Sequence, residues 1–286
     1  DIGKIDLAIE LYEKAIVIKP NFPEAFDNLV VVLKEFDQLE VAINSYHKVI
    51  KANPKLAEAH HNLGLVLQMS SQYEEAIKCY EKAIAIRPNY FEAYNNIGVV
   101  YKKLGQLKDA IISYEKSLII NPDFAEAHNN LGNVLRELNQ LDEAAKCFNK
   151  VIEIRPNFAE THNNLGMVLS QLGKLQKAEA SFEQAIKLKP NYADAYSNLG
   201  MIYKEFGRAN QAMKSFKMAI ELEPQLAVAH TNLCTIQYLN QDYVSALKTI
   251  TDANAINPKS KSIRLLFKVL TAKNYNSGVI NNCISI

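Results

Sequence analysis

The 286-residue chain has no tryptophan, only four cysteines and almost no net charge, with 32 lysines and arginines against 31 aspartates and glutamates. Each shortage excludes something. The charge balance leaves no field to draw in nucleic acid or an anionic membrane surface. No run of five like charges occurs, and no apolar stretch approaches the roughly 18 residues a membrane-crossing helix needs. Neither nucleic acid nor a membrane is therefore an expected partner. Cys79, Cys147, Cys234 and Cys283 show no short paired spacing and read as small apolar helix residues of a reducing, cytoplasmic compartment. Gly-x-Gly-x-x-Gly, a phosphate loop, His-Glu-x-x-His and Gly-x-Ser-x-Gly are all missing, so no cofactor is expected and the chain reads as non-catalytic.

What is present is a period. Pro20, Pro54, Pro88, Pro122, Pro156, Pro190, Pro224 and Pro258 stand 34 residues apart each time, without insertion or deletion. Asparagine keeps the same step from Asn28 to Asn232, and alanine from Ala8 to Ala246. A fixed period of this length means stacked copies of one supersecondary unit. Such an array offers a long groove and no buried catalytic pocket. Binding is the expected class of function.

Residues 159–192 show what one copy is. Leu165, Val168, Leu169 and Leu172 form the apolar stripe of an amphipathic helix. Gly173 follows, where Gly105 and Gly207 also stand and Asn139 substitutes, as a left-handed helix stop requires. Leu175, Ala178, Phe182, Ala185 and Ile186 mark a second stripe, which Pro190 ends. Two helices and a short turn make an antiparallel hairpin. Gly64, Gly98, Gly132, Gly166 and Gly200 lie inside the first helices, where glycine costs about 1 kcal/mol relative to alanine. Close approach to the alanine row of the second helix is the expected offset. Val30 and Cys234 replace glycine in the outermost full repeats, where less regular packing is expected.

In this register Leu63, Gly64, Leu67, Ala76, Tyr80, Ala83 and Pro88 resemble the tetratricopeptide repeat family residue by residue. The pattern recurs in phase over most of the chain, with histidine or an aromatic where the family usually has tryptophan. The resemblance implies an all-α fold, an α-solenoid wound as a right-handed superhelix whose first helices line the concave face. The array is most similar to those of O-linked N-acetylglucosamine transferases, their SPINDLY-like relatives and bacterial multi-repeat proteins. It divides into a partial repeat at 1–22, seven tandem repeats at 23–260 and a degenerate repeat or helical end at 261–286. The chain enters partway through a repeat and ends in the apolar Cys283-Ile284-Ser285-Ile286, so a segment of a longer protein is expected. Its uncapped end, with Leu265, Leu266, Val269, Val279 and Ile280, is a candidate surface for self-association.

The asparagine row is the sharpest candidate site. One period apart on every first helix, amides that donate and accept at once suit the backbone of an extended peptide. By the resemblance to transferase arrays, Asn62, Asn95, Asn96, Asn129, Asn130, Asn163, Asn164 and Asn198 would hold that backbone. Val99, Asn133, Met167 and Met201 would select side chains, and Lys102, Arg136 and Lys204 lend a mildly basic flank. The structural alternative is that these amides dock adjacent repeats on one another. The position at which chaperone-binding members of the family carry a carboxylate-gripping lysine reads Asp27, His61, Asn95, Asn129, Asn163, Ser197 and Thr231, so a terminal-carboxylate clamp is not expected.

Other rows have plainer readings. Glu24, Glu58, Glu92, Glu126, Glu160 and Asp194 follow an Asn or Asp at the spacing of a capping box in five of six cases, and capping is the expected role. His60, His128, His162 and His230 share one bulky packing position. Ligands a repeat or more apart cannot close a metal site with bonds of about 2 Å, so no metal is expected. The aromatic row from Tyr12 to Phe216 reads as core, and the row after each Pro-Asn or Pro-Asp as a plug between repeats. Two functions stay open: a scaffold binding an extended polypeptide, and the substrate-recruiting arm of a larger enzyme such as a glycosyltransferase or other transferase.

Overall fold

Each 34-residue copy that lies wholly among the described residues folds as two helices because its signals switch in the right order. The computed structural model describes residues 39–275, together with 11, 12, 14, 15 and 18. The chain forms two compact units, residues 1–154 and 155–286. In the first lie α1 (Leu39–Ala52), α2 (Ala57–Met69), α3 (Tyr73–Ile86), α4 (Phe91–Lys103), α5 (Leu107–Ile120), α6 (Ala125–Glu137) and α7 (Leu141–Ile154). The second holds α8 (Ala159–Gln171), α9 (Leu175–Leu188), α10 (Ala193–Glu205), α11 (Ala209–Leu222), α12 (Ala227–Leu239), α13 (Tyr243–Ile256) and α14 (Lys261–Tyr275). No strand occurs among the described residues, and none of their helices is long and apolar enough to cross a membrane.

Each first helix packs on its second: α2 on α3, α4 on α5 and α6 on α7 in one unit, α8 on α9, α10 on α11 and α12 on α13 in the other. Within each unit successive first helices also touch, α2 with α4 and α4 with α6, then α8 with α10 and α10 with α12. The turn between partners is a Schellman stop. Gly105, Gly173 and Gly207 take φ near +70°, and the N–H that follows reaches back five residues, as from Gln106 to the Tyr101 carbonyl at 2.9 Å. Asn139 adopts the same conformation, and so do Ser71 and Gln241, which no sequence signal marked. Second helices end where proline forces the preceding residue into extended geometry, as at Arg87 with φ −125° and ψ 91°.

Two expectations are corrected. The helical glycines face rings, not the alanine row. A Cβ built on Gly64, Gly98, Gly132, Gly166 or Gly200 would stand 2.6–2.9 Å from a carbon of Tyr80, Tyr114, Phe148, Phe182 or Phe216, all buried. The missing side chain is therefore the seat of an aromatic ring. Cys234 takes the glycine position where Ile250 takes the ring position, and its Sγ donates to the Ala246 carbonyl at 3.3 Å. The capping box does not form either. The N-caps of α2, α4, α6, α8, α10 and α12 are Leu56, Tyr90, Phe124, Phe158, Tyr192 and Leu226, none with a side-chain bond to the helix. The Asn or Asp before each aromatic sits one residue too early to reach the free N–H groups. The acids remain in the first turn, where the helix dipole favours them.

The last helix, α14, turns Ile263 and Leu270 into the core with Cys234, Ile250 and Ala253. Leu266 packs partly against the same cluster, while Leu265 and Val269 remain 63% and 45% exposed. Val279 and Ile280 lie outside the described residues.

Candidate functional site

Within each unit, first helices present the same residues of each copy to one face, so the asparagine row is set by the period. Within that row burial makes a division. Asn62, Asn95 and Asn163 are only 9%, 7% and 4% exposed. Asn96, Asn129, Asn130, Asn133, Asn164 and Asn198 are half-buried, as are Arg136 and Lys204, and Lys102 is exposed. A back row and a front row result.

In the first unit these residues form one chain of hydrogen bonds across three repeats. Asn130 Nδ2 donates to Asn95 Oδ1 at 3.0 Å, and Asn95 Nδ2 to Asn96 Oδ1 at 3.4 Å. Asn96 Nδ2 then donates to His61 Nε2 at 3.0 Å, which places the ring proton on Nδ1. That nitrogen donates to Asn62 Oδ1 at 3.3 Å. The network needs a neutral imidazole. Burial supplies one, lowering the His61 pKa to about 4 against weaker raising effects of Asn62 and Glu58. The ring lies tilted between Tyr80 and Tyr90 at centroid distances of 5.5 and 4.7 Å. In the second unit Asn198 Nδ2 donates to Asn163 Oδ1 at 3.0 Å, and Asn163 Nδ2 to Met167 Sδ at 3.8 Å.

The three inter-repeat bonds donated by Asn96, Asn130 and Asn198 each join residues 35 apart, one beyond the period. A front-row amide thus reaches the back-row position of the preceding repeat. An amide carries two N–H groups and an oxygen with two lone pairs, so one bond at each end leaves capacity for another. Both readings of the row, docking repeats and facing a ligand, are chemically available to the same side chain. Further along, Lys204 Nζ donates to Asn232 Oδ1 at 3.1 Å, so the flank is partly tied down. The Asn129 oxygen is buried without a partner.

Sequence reasoning left His61 out of the site. Its register, one period before Asn95, was the available signal. Four other histidines act locally. Nε2 of His60, His128, His162 and His230 donates to the carbonyl of Pro54, Pro122, Pro156 and Pro224 at 2.8–3.0 Å, clamping the loop that enters each first helix. Among the described residues no group of three His, Cys, Asp or Glu side chains could hold a metal ion. Glu58 forms an ion pair with Arg87, whose guanidinium lies 4.5 Å from the Tyr90 ring centre.

The family profile described as "TPR repeat" matches residues 37–71 and 70–105, and that described as "Tetratricopeptide repeat" matches 90–157, 123–191 and 157–225. No curated protein sequence matches the chain. Among solved structures, YrrB, "a TPR protein with an unusual peptide-binding site", is 27% identical with a TM-score of 0.56 over 64% of this chain and 95% of its own. A crystal structure of MamA is 28% identical, with a TM-score of 0.54 over 58% of this chain and 96% of its own. PilF of Pseudomonas aeruginosa, at 21% identity and a TM-score of 0.64 over 76% of this chain and 97% of its own, shares the fold. Matched from residue 37 to 225 and built of the paired helices just described, this chain belongs to the tetratricopeptide repeat family.

Proposed function

We propose that the chain is a non-catalytic scaffold that binds an extended polypeptide along the face its first helices carry. The observation behind this is the orientation of the front row. Asn96, Asn130 and Asn198 each donate at 3.0 Å to the residue behind them in the preceding repeat, which fixes their rotamers before any ligand arrives. Preorganised amides bind at lower entropic cost than free ones. Asn62, Asn95 and Asn163 are the positioning layer in this reading, and the half-buried amides are the contacts, with Asn133, Met167 and Met201 between them and Lys102, Arg136 and Lys204 at the flank. The peptide-binding site named for YrrB, a structure at 27% identity, supports the same class of ligand.

A random dodecapeptide display library panned on the full chain supplies the probe. Replacing Asn96 and Asn130 together by alanine should weaken the best peptide about tenfold, at about 0.5–1.5 kcal/mol per contact. N-methylation of the peptide backbone should do the same to the parent protein. Undiminished affinity of the double variant, with a lowered melting temperature, would assign the row to repeat docking alone.

A further inference from the structure

On the side of the second helices, α3 and α5 part over α4 to leave an open cleft of about 280 Å³. Ile97 forms its floor, and Tyr94 and Tyr101 stand along it. Its ends differ in charge. Glu81 from α3 and Asp109 from α5 line the Tyr101 end, while Lys116, two turns along α5, lies 6.0 Å from the Tyr94 ring centre. The Tyr101 phenol is pushed above its ordinary range by burial and, in the same direction, by both carboxylates, so their charges converge on its hydroxyl. No ion pair formed by the described residues engages Glu81 or Asp109.

The chain holds its own control three periods later. Tyr203 occupies the position of Tyr101, and Glu183 that of Glu81, with the Tyr203 hydroxyl donating to Glu183 Oε1 at 3.2 Å. There a cation is built in. Arg208 donates to Glu179 at 2.8 Å and lies 5.9 Å from the Tyr203 ring centre and 4.7 Å from that of Phe206. Under it Tyr203 is buried, whereas Tyr101 stays half-exposed. In the earlier repeat Arg208 is replaced by Gln106, and Glu179 by Ile77. The same acidic, tyrosine-backed seat is kept and its internal guanidinium is gone. Asp109, where the later repeat has Gln211, adds a second carboxylate to the vacated place.

We propose that this cleft docks one arginine side chain of a partner polypeptide. The guanidinium lies on Tyr101 and pairs with Glu81 and Asp109, and the aliphatic stem runs over Ile112 and Ile97. A planar, weakly hydrated cation suits a seat made of a ring face and carboxylates. Lys116 at the far end fixes direction, because a cation entering reversed would meet it. The surface is separate from the amide face of the first helices, so either can fail alone.

The test is an amide-shift NMR titration of the full, isotope-labelled chain with N-acetyl-arginine methylamide, beside the uncharged citrulline analogue. Saturable shifts are expected at Tyr101, Asp109 and Ile112 with the arginine probe only. Glu81→Gln with Asp109→Asn, both at exposed positions and so leaving the melting temperature unchanged, should weaken binding at least tenfold. A second variant fills the seat from within: Gln106→Arg with Ile77→Glu should bury Tyr101 and abolish the shifts. Equal shifts from the citrulline analogue, shifts spread over surface acids generally, or an unaltered titration in both variants overturns the proposal.

Discussion

His61 does with a ring what Asn95 and Asn163 do with an amide in later repeats, accepting from the next repeat's asparagine, and that exchange has a pH signature. Its imidazole is neutral in the folded chain because burial lowers its pKa to about 4 from an ordinary 6.5. Between those values the unfolded chain binds the proton more tightly, so stability is full above about pH 6.5 and falls as pH drops toward 4. From pH 7 to 4.5 the loss from this one residue should be about 2–3 kcal/mol. Urea melts at both pH values, run beside His61→Asn, measure it. The asparagine variant should show a smaller acid loss by that amount, and parallel losses would mean the ring is not buried as described. The asparagine row itself was legible from period alone. Which amides form the back row was not. That depends on how far one repeat turns against the next, a rotation that moves the partner of Asn96 from the position one period earlier to His61, one residue before it.

At the scale of the helix, the same limit decided which small residues touch what. Stripe, stop and proline placed the helices described here, and the left-handed stops at Gly105 and Gly173 were visible as glycines. Ser71 and Gln241 take that conformation without a glycine or asparagine to announce it, because the Schellman bonds of the turn hold them there. The capping box failed because the spacing was right but the helix began one residue later than the acid implied, with Tyr90 and its counterparts as the N-cap. The glycine row was legible as a close approach and misassigned as to partner. Its true partner gives a prediction. Gly166→Ala improves helix propensity by about 1 kcal/mol. Yet its Cβ would stand 2.7 Å from a carbon of Phe182, a ring with no room to withdraw. Overpacking of this kind costs about 1–3 kcal/mol, so the variant should be less stable on balance. In a Phe182→Leu background, where the ring atoms are absent, the same change should stabilise. The chain's own Cys234 and Ile250 pair is this compensated state. A double-mutant cycle by denaturant melts reads the coupling, and additive effects would show that glycine and ring are not in contact.

For the molecule as a whole, each helix pair meets its neighbours within its own unit and little else, so stability is a sum of local terms. Tyr80 makes this testable. It is fully buried in α3, seats against Gly64, donates to Gln68 Oε1 at 3.0 Å and packs its ring at a tilt against His61. Tyr80→Ala should cost about 3–5 kcal/mol, the usual penalty for deleting a buried aromatic ring. In a domain with one shared core that loss would lower protection against amide exchange everywhere. In a solenoid it should stay near its origin, because an opened pair withdraws support only from the pairs it touches. Exchange followed by mass spectrometry should therefore show faster labelling in α2, α3 and α4, a smaller effect in α1 and α5, and parent-like protection in α11, α12 and α13. The clamp on the amide network falls within the affected stretch, so His61 and Asn96 should lose order with it while Asn198 keeps its bond to Asn163. A uniform loss of protection from α1 to α13 would mean that the repeats fold as a single cooperative body, and local changes to the binding face could then not be separated from changes to the fold.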